Sequence, residues 1–252
     1  MATIDRVGLP DPDLIIATTE FTPRGRGATA TAARAGVARY RIITTKEVDA
    51  YEPPLAAAEV ELFGLNRVKA PGDKFAGTER KAAKLSISTA AIENFADISS
   101  LLASLPKKDP KGVSEAAGSK RIPEEQRNVR VRAFLYAASR EPDNDFHLIV
   151  GDDPPAAAPK LMTMEISGLP PSSSASFARL KAARSAYKDF FSGDLPGLGY
   201  DHYPKRIPVE IEGSLFFDAS HDTGTPPGPK KLRPFMPRIW EVHPISKIVF
   251  EP

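Results

Sequence analysis

Seven side chains stand out as able to do chemistry: His147, Glu165, Asp218, His221, Asp222, Glu241 and His243. Imidazole and carboxylate groups are hard-to-borderline metal ligands, and together they form the donor set of a metal-assisted hydrolase. Their spacing is not that of a compact ligand motif. No H-E-x-x-H and no C-x-x-C occurs, and His221-Asp222 is a dipeptide that arises easily by chance. His147, Glu165, Glu241 and His243 are therefore weak metal candidates, weighed against histidines that only satisfy a neighbouring acid or backbone group. The expectation is the second case, with no metal and no cofactor. Nucleophilic catalysis has less support, because there is no cysteine and no G-x-S-x-G elbow, and Ser172 to Ser174 read as helix-capping residues. Gly193 to Gly199 lacks the Lys-Ser/Thr ending of a phosphate loop.

Binding chemistry is better represented. Lys230, Lys231, Arg233 and Arg238 surround Phe235 in one late segment, and Arg130 and Arg132 alternate with Phe134 and Tyr136 in another. Cations beside aromatic faces suit single-stranded nucleic acid, where bases stack on rings and phosphates meet Lys and Arg. Against each cluster stands a plain solvated surface, and Glu210 and Glu212 interrupt any uniformly basic groove.

The elements that must position these groups follow from period. Val129, Val131, Ala133 and Leu135 share one face of a strand, leaving Arg130, Arg132, Phe134 and Tyr136 on the other. Glu141 to Asn144 supplies a turn and Phe146 to Val150 a second strand, so the two make a hairpin. Leu161 to Ile166 is a third strand. A helix follows, with Phe177, Leu180, Ala183, Tyr187 and Phe190 on one side, Ser174 as its N-cap and Gly193 past its end. Val209 to Phe217 and Ile239 to Phe250 complete the set, with Gly213 suited to a coiled barrel strand. Three strands, a helix and two strands in this order fit an OB-fold, a five-stranded Greek-key barrel with its helix between strands three and four. A generic α+β sandwich is the alternative. Val131, Leu148, Met164, Val209, Ile211, Leu215 and Val242 are the expected barrel interior.

The first half is less regular. Residues 1–35 read as a flexible basic arm and 36–106 as a small α+β region. Within it Tyr40 to Thr45 and Glu59 to Phe63 are short strands, and Ile92, Phe95, Ile98, Leu102 and Leu105 form the stripe of one helix stopped by Pro106. Residues 107–127 read as a linker and 128–252 as the barrel domain. The 25 prolines in 252 residues, about twice the usual share, argue against a helical bundle. A net charge of +2 is too balanced for a bulk nucleic-acid neutraliser, so any such preference must be local. With no signal-peptide pattern and no run of about 18 apolar residues, the expected address is the cytoplasm, with no membrane partner.

Asp143-Asn-Asp-Phe-His-Leu-Ile-Val150, Met162-Thr-Met-Glu-Ile166, Val209 to Asp218 with His221, and Trp240-Glu-Val-His-Pro-Ile-Ser-Lys-Ile248 resemble a little-characterised group of bacterial proteins. Those proteins carry a D-x-D-[YF]-H hairpin, an M-x-x-E strand and a terminal W-E-[IV]-H-P strand, and are described as OB-fold-like. The resemblance covers about residues 128–250. It implies that fold and a loose link to nucleic-acid and nuclease contexts, but no established reaction and no catalytic residues. The expected function is a non-catalytic OB-type module for single-stranded nucleic acid. A protein-interaction or assembly module is the alternative, with a metal-dependent hydrolase behind both.

Overall fold

Alternation and turn chemistry produce a mainly β chain. The computed structural model describes residues 18–20, 41–44, 72–152, 159–191, 195–221 and 226–252. In chain order these residues form β1 (Thr18–Glu20), β2 (Arg41–Thr44), α1 (Lys81–Lys84), β3 (Ile92–Phe95), α2 (Ile98–Ala103), β4 (Asn128–Arg140), β5 (Phe146–Gly151), β6 (Leu161–Ile166), α3 (Phe177–Phe190), β7 (Asp201–Phe217) and β8 (Trp240–Phe250).

The strands pair in the order β1-β2-β7-β8-β6-β5-β4-β3, and a further β7–β4 pairing joins β4, β5, β6, β8 and β7 into a closed ring. Within the ring only β6 and β8 run parallel. The 17-residue β7 makes closure possible by pairing along one side with β4 (Asn128↔Ser214 to Ala138↔Asp201) and along the other with β8 (Val209↔Phe250 to Phe217↔Trp240). Gly213 sits at a register shift, where an added Cβ would lie 2.5 Å from both the Pro244 carbonyl oxygen and Val242. Only glycine permits that approach.

Val131, Leu148, Met164, Val209, Ile211, Leu215 and Val242 are all buried in one cluster, as their alternation predicts. Helix α3 follows β6 and packs Tyr187 and Phe191 onto this core, with Phe190 stacked on Phe250 of β8 at 3.9 Å. Its N-cap is Ser176 and not Ser174. The Ser176 side chain gives the helix no cap and donates instead to the Leu85 carbonyl (2.6 Å). Gly193 lies outside the described residues.

The single helix expected from residue 89 onward is two elements. Ile92–Phe95 forms β3, parallel to β4, and α2 begins after Asp97, whose carboxylate accepts the Ser100 N–H (2.7 Å) while the Ser100 hydroxyl closes a capping box. Asp97 breaks the stripe because its cap satisfies the first helical donors, so the apolar 3–4 spacing is shared by a strand and a helix. In the stretch expected as a linker, Glu125 is buried against Arg80 (2.6 Å). Arg121 donates to the carbonyls of Leu215 and His243 on the ring. These contacts tie residues 107–127 to the barrel. Of the expected basic arm, Thr18–Glu20 is a strand paired with β2, which itself falls within the predicted Tyr40 to Thr45 strand. The rest of the arm and Glu59 to Phe63 lie outside the described residues. No helix among the described residues is long and apolar enough to cross a membrane.

Candidate functional site

Each strand of the ring points alternate side chains away from the core. On β5, Phe146, Leu148 and Val150 face in, leaving His147 outward; on β6, Met162, Met164 and Ile166 face in, leaving Thr163 and Glu165; on β8, Trp240 and Val242 face in, leaving Glu241 and His243. Register sets these polar residues side by side, with His147 opposite Glu165 and Thr163 opposite Glu241. Asp145 joins them from the end of the β4–β5 turn, where Asn144 takes a left-handed conformation (φ 74°). All of these side chains are nevertheless buried. Segment 72–91 accounts for part of the cover, because Lys84 donates to Asp143 and Arg80 lies over the Phe216 ring, which in turn sits 5.3 Å from the His243 ring.

At the centre, His243 Nε2 is 3.2 Å from Asp145 Oδ2, and His243 Nδ1 is 2.8 Å from Glu165 Oε2 and 3.8 Å from Glu241 Oε2. Neither ring nitrogen is aligned for a hydrogen bond, and Asp145 Oδ2, His147 Nε2 and Thr163 Oγ1 also lack partners. Burial and the neighbouring Asp143 push the Asp145 carboxyl up to about 7, and burial together with Glu165 does the same to Glu241. Burial opposes charge on Glu165 too, but His243 and Lys84 hold its carboxyl far below the usual range. Three carboxylates crowd one imidazole, so like-charge repulsion and missing water act together.

Further charged and polar pairs lie around this centre. Lys84 Nζ meets Asp143 at 3.2 Å. His147 Nδ1 lies between Glu141 Oε1 (3.3 Å) and the Tyr200 hydroxyl (3.2 Å); burial opposes its charge, yet Glu141, Glu165 and Glu241 lift it to about 9. His221 Nδ1 is in close contact with Asp218. Of the four metal candidates from sequence, Glu165 and His243 are brought together, Glu241 stands at their edge and His147 is an adjacent neighbour. His243 meets Asp145 and Glu165 more closely than the Glu241 or backbone partner expected. Asp145 and Lys84 were missed. Asp145 stood in the hairpin motif of the resemblance but was not weighed as a ligand, and Lys84 reaches the site from about 60 residues upstream with no local signal. Asp222 lies outside the described residues.

The expected nucleic-acid residues are only partly assembled. Phe134 and Tyr136 of β4 share one apolar cluster with Ile149, Leu161, Tyr200, Leu232 and Met236, so the 226–238 loop lies over the outer face of β4, β5 and β6. Tyr136 is consequently buried rather than open for stacking. Its hydroxyl donates to the Asp152 carbonyl (2.8 Å), and the Arg206 guanidinium lies 4.2 Å from its ring centre. Arg130 pairs with Glu212 (2.7 Å) and Arg132 with Glu210 (3.6 Å), although Arg132 remains 74% exposed. Arg233 is turned back onto the Gly228 carbonyl, and Arg238 onto Asp109 and the Pro106 carbonyl. Loops carry unpaired carbonyls, and a guanidinium with five donors satisfies them. Lys230, Lys231 and Phe235 stay exposed. The sequence reading missed Arg206 and His202. Burial and the charges of Arg206 and Lys231 depress His202 to about 4.

No family model, no curated protein and no solved structure matches the chain. Function must be argued from this geometry alone.

Proposed function

We propose that residues 128–252 form an OB-fold-like Greek-key barrel and that the chain is a non-catalytic module for single-stranded nucleic acid. The ring order β4-β5-β6-β8-β7, its parallel β6–β8 pair and the helix between β6 and β7 support the fold reading. The observation carrying the functional reading is the shared surface of β4 and the 226–238 loop. Residues about 100 positions apart, Phe134 on one side and Leu232 with Met236 on the other, pack together and bring exposed Lys230, Lys231 and Phe235 to the face of the barrel's first three strands. That is the face on which OB barrels bind single strands, with rings for bases and cations for the backbone.

Tyr136 anchors the loop in this arrangement, and Phe235 takes the stacking role. Lys230 and Lys231 are the phosphate-facing pair, and Arg206 is held on the Tyr136 ring and the Tyr203 carbonyl. Binding of a labelled single-stranded oligonucleotide, compared between the natural chain and a Lys230→Ala/Lys231→Ala variant over a salt series, tests the reading. A protein-interaction module would instead bind no oligonucleotide and would show a concentration-dependent size.

A further inference from the structure

We infer that Asp145, Glu165 and His243 hold one divalent transition-metal ion of the zinc or manganese class. The site shares the outer face of β5 and β6 with the proposed nucleic-acid surface, which meets it through Tyr200 and His147, but its test is independent of that reading.

The geometry begins with the donors. One atom from each of the three side chains lies within 4.8 Å of the others, and all three residues are buried. That limit is wider than the roughly 3.4 Å between donors on a tetrahedral ion with bonds of about 2.1 Å, so the side chains must close on the ion, with His243 binding through one ring nitrogen. Each ligand comes from the ring or its turns: Asp145 precedes β5, Glu165 is in β6 and His243 in β8, three adjacent strands. Paired strands hold such positions far better than a loop does.

A second observation concerns the unmet polar atoms. A protonated imidazole between two carboxylates would aim its N–H bonds along the line to each oxygen, because charged hydrogen bonds are strong and directional. Here oxygens lie 2.8 and 3.2 Å from the two ring nitrogens, yet neither contact is aligned. His147 Nε2 and Thr163 Oγ1, 1% and 2% exposed by residue, are also without partners on the same outer face, beside Glu165 and Glu241 in the strand register. Buried polar atoms are nearly always satisfied, so this many on one face point to an occupant that the protein chain does not supply. An ion with its bound water would serve both sets, the ion taking the three ligands and the water reaching the remaining donor and acceptor.

The donor chemistry selects the ion. Two carboxylates and an imidazole suit zinc or manganese better than calcium or magnesium, which prefer all-oxygen shells. Phe216 provides a low-dielectric wall, and Glu165, the most exposed of the three side chains at 9%, is the outermost ligand. The rival occupant is a set of protons, with His243, Lys84 and His147 balancing the three acids.

The test uses the full chain, stripped with a chelator and then titrated with ZnCl2 and MnCl2 by calorimetry. The expected result is one equivalent bound, with affinity at least 10-fold weaker in Asp145→Asn and Glu165→Gln and unchanged in Arg132→Ala. Circular dichroism verifies that each variant is folded. Because a variant of a buried residue can fail to fold, the second measurement needs none: electron spin-echo spectroscopy of Mn2+ bound to the natural chain should show coupling to one imidazole nitrogen. Less than about a tenth of an equivalent bound, undiminished affinity in both folded carboxamide variants, or bound manganese without nitrogen coupling would each overturn the site.

Discussion

Replacing Lys230 and Lys231 together by alanine probes the proposed surface through counterion release. Each phosphate contact on a single strand contributes about −0.7 to the slope of log K against log salt, so two contacts contribute about −1.4. Between about 50 and 200 mM salt, a fourfold change, the natural chain should lose about sevenfold more affinity than the variant. The structure makes the comparison clean. Both lysines are exposed, and the loop beneath them is held by Leu232 and Met236 in the apolar cluster and by Arg233 and Arg238 on backbone carbonyls. Exposed substitutions of this kind change stability by less than about 0.5 kcal/mol, so the melting temperature should barely move. Lys181→Ala is the control, since Lys181 is exposed on α3, away from β4 and the loop. Fluorescence anisotropy of a labelled oligonucleotide at five or more salt concentrations measures the slope. An unchanged slope with affinity intact in the double variant removes the loop from the site; no binding by the natural chain at low salt removes the function.

Three further outcomes follow from the same contacts. His202 is held at about 4 in the folded chain against an ordinary value near 6.5, so the unfolded state takes up more protons between those limits. Its contribution to stability is complete above about pH 6.5 and is lost as pH falls toward 4; urea titrations at pH 7 and 4.5 should show a smaller difference for His202→Gln than for the natural chain. Glu125→Ala would strand the buried Arg80 guanidinium and the Phe217 N–H, and a loss of about 3 to 5 kcal/mol in chemical denaturation is expected, while a loss below 1 kcal/mol would show the pair to be unimportant. Gly213→Ala should cost about 1 to 3 kcal/mol because backbone, not a flexible side chain, meets the new methyl group; a neutral result would mean that the β7–β8 register shift relaxes freely.

Sequence period revealed the strands because each has one buried face and one distinct face, and alternation survives wherever that contrast does. Val129 to Leu135, Phe146 to Val150 and Leu161 to Ile166 were legible for this reason. The first half of β7 was not. Residues Asp201–Pro208 contain Pro204 and Pro208, a residue type that removes a ladder donor, yet they extend the strand that closes the ring. Pro208 pairs opposite Phe134, and its carbonyl accepts the Glu251 N–H (2.8 Å), so its missing donor is tolerated. The Ile92 to Leu105 stripe failed in the opposite sense, since two short elements reproduced a helical spacing that only Asp97 interrupts.

The candidate sites divide along the same physical line. Charges in the 226–238 loop could be read directly, but their direction depends on Leu232 and Met236, whose partners Tyr136 and Tyr200 are distant in sequence. Arg233 and Arg238 look identical to Lys231 in a charge pattern, and only the folded loop separates cations turned onto carbonyls from one that is exposed. At the acid–histidine centre, residue type was visible for Glu165 and His243, whereas Asp145, just before β5, was not singled out and Lys84 was hidden by its distance. What assembles the centre is strand register: sliding β6 by one residue against β5 would move Glu165 into the apolar core and Met164 out of it. The apolar residues of these strands therefore fix the polar ones, and the energy that sets the position of Glu165 is that of burying Met162, Met164 and Ile166. For that reason Glu165→Gln should alter ion binding while leaving the barrel's register unchanged.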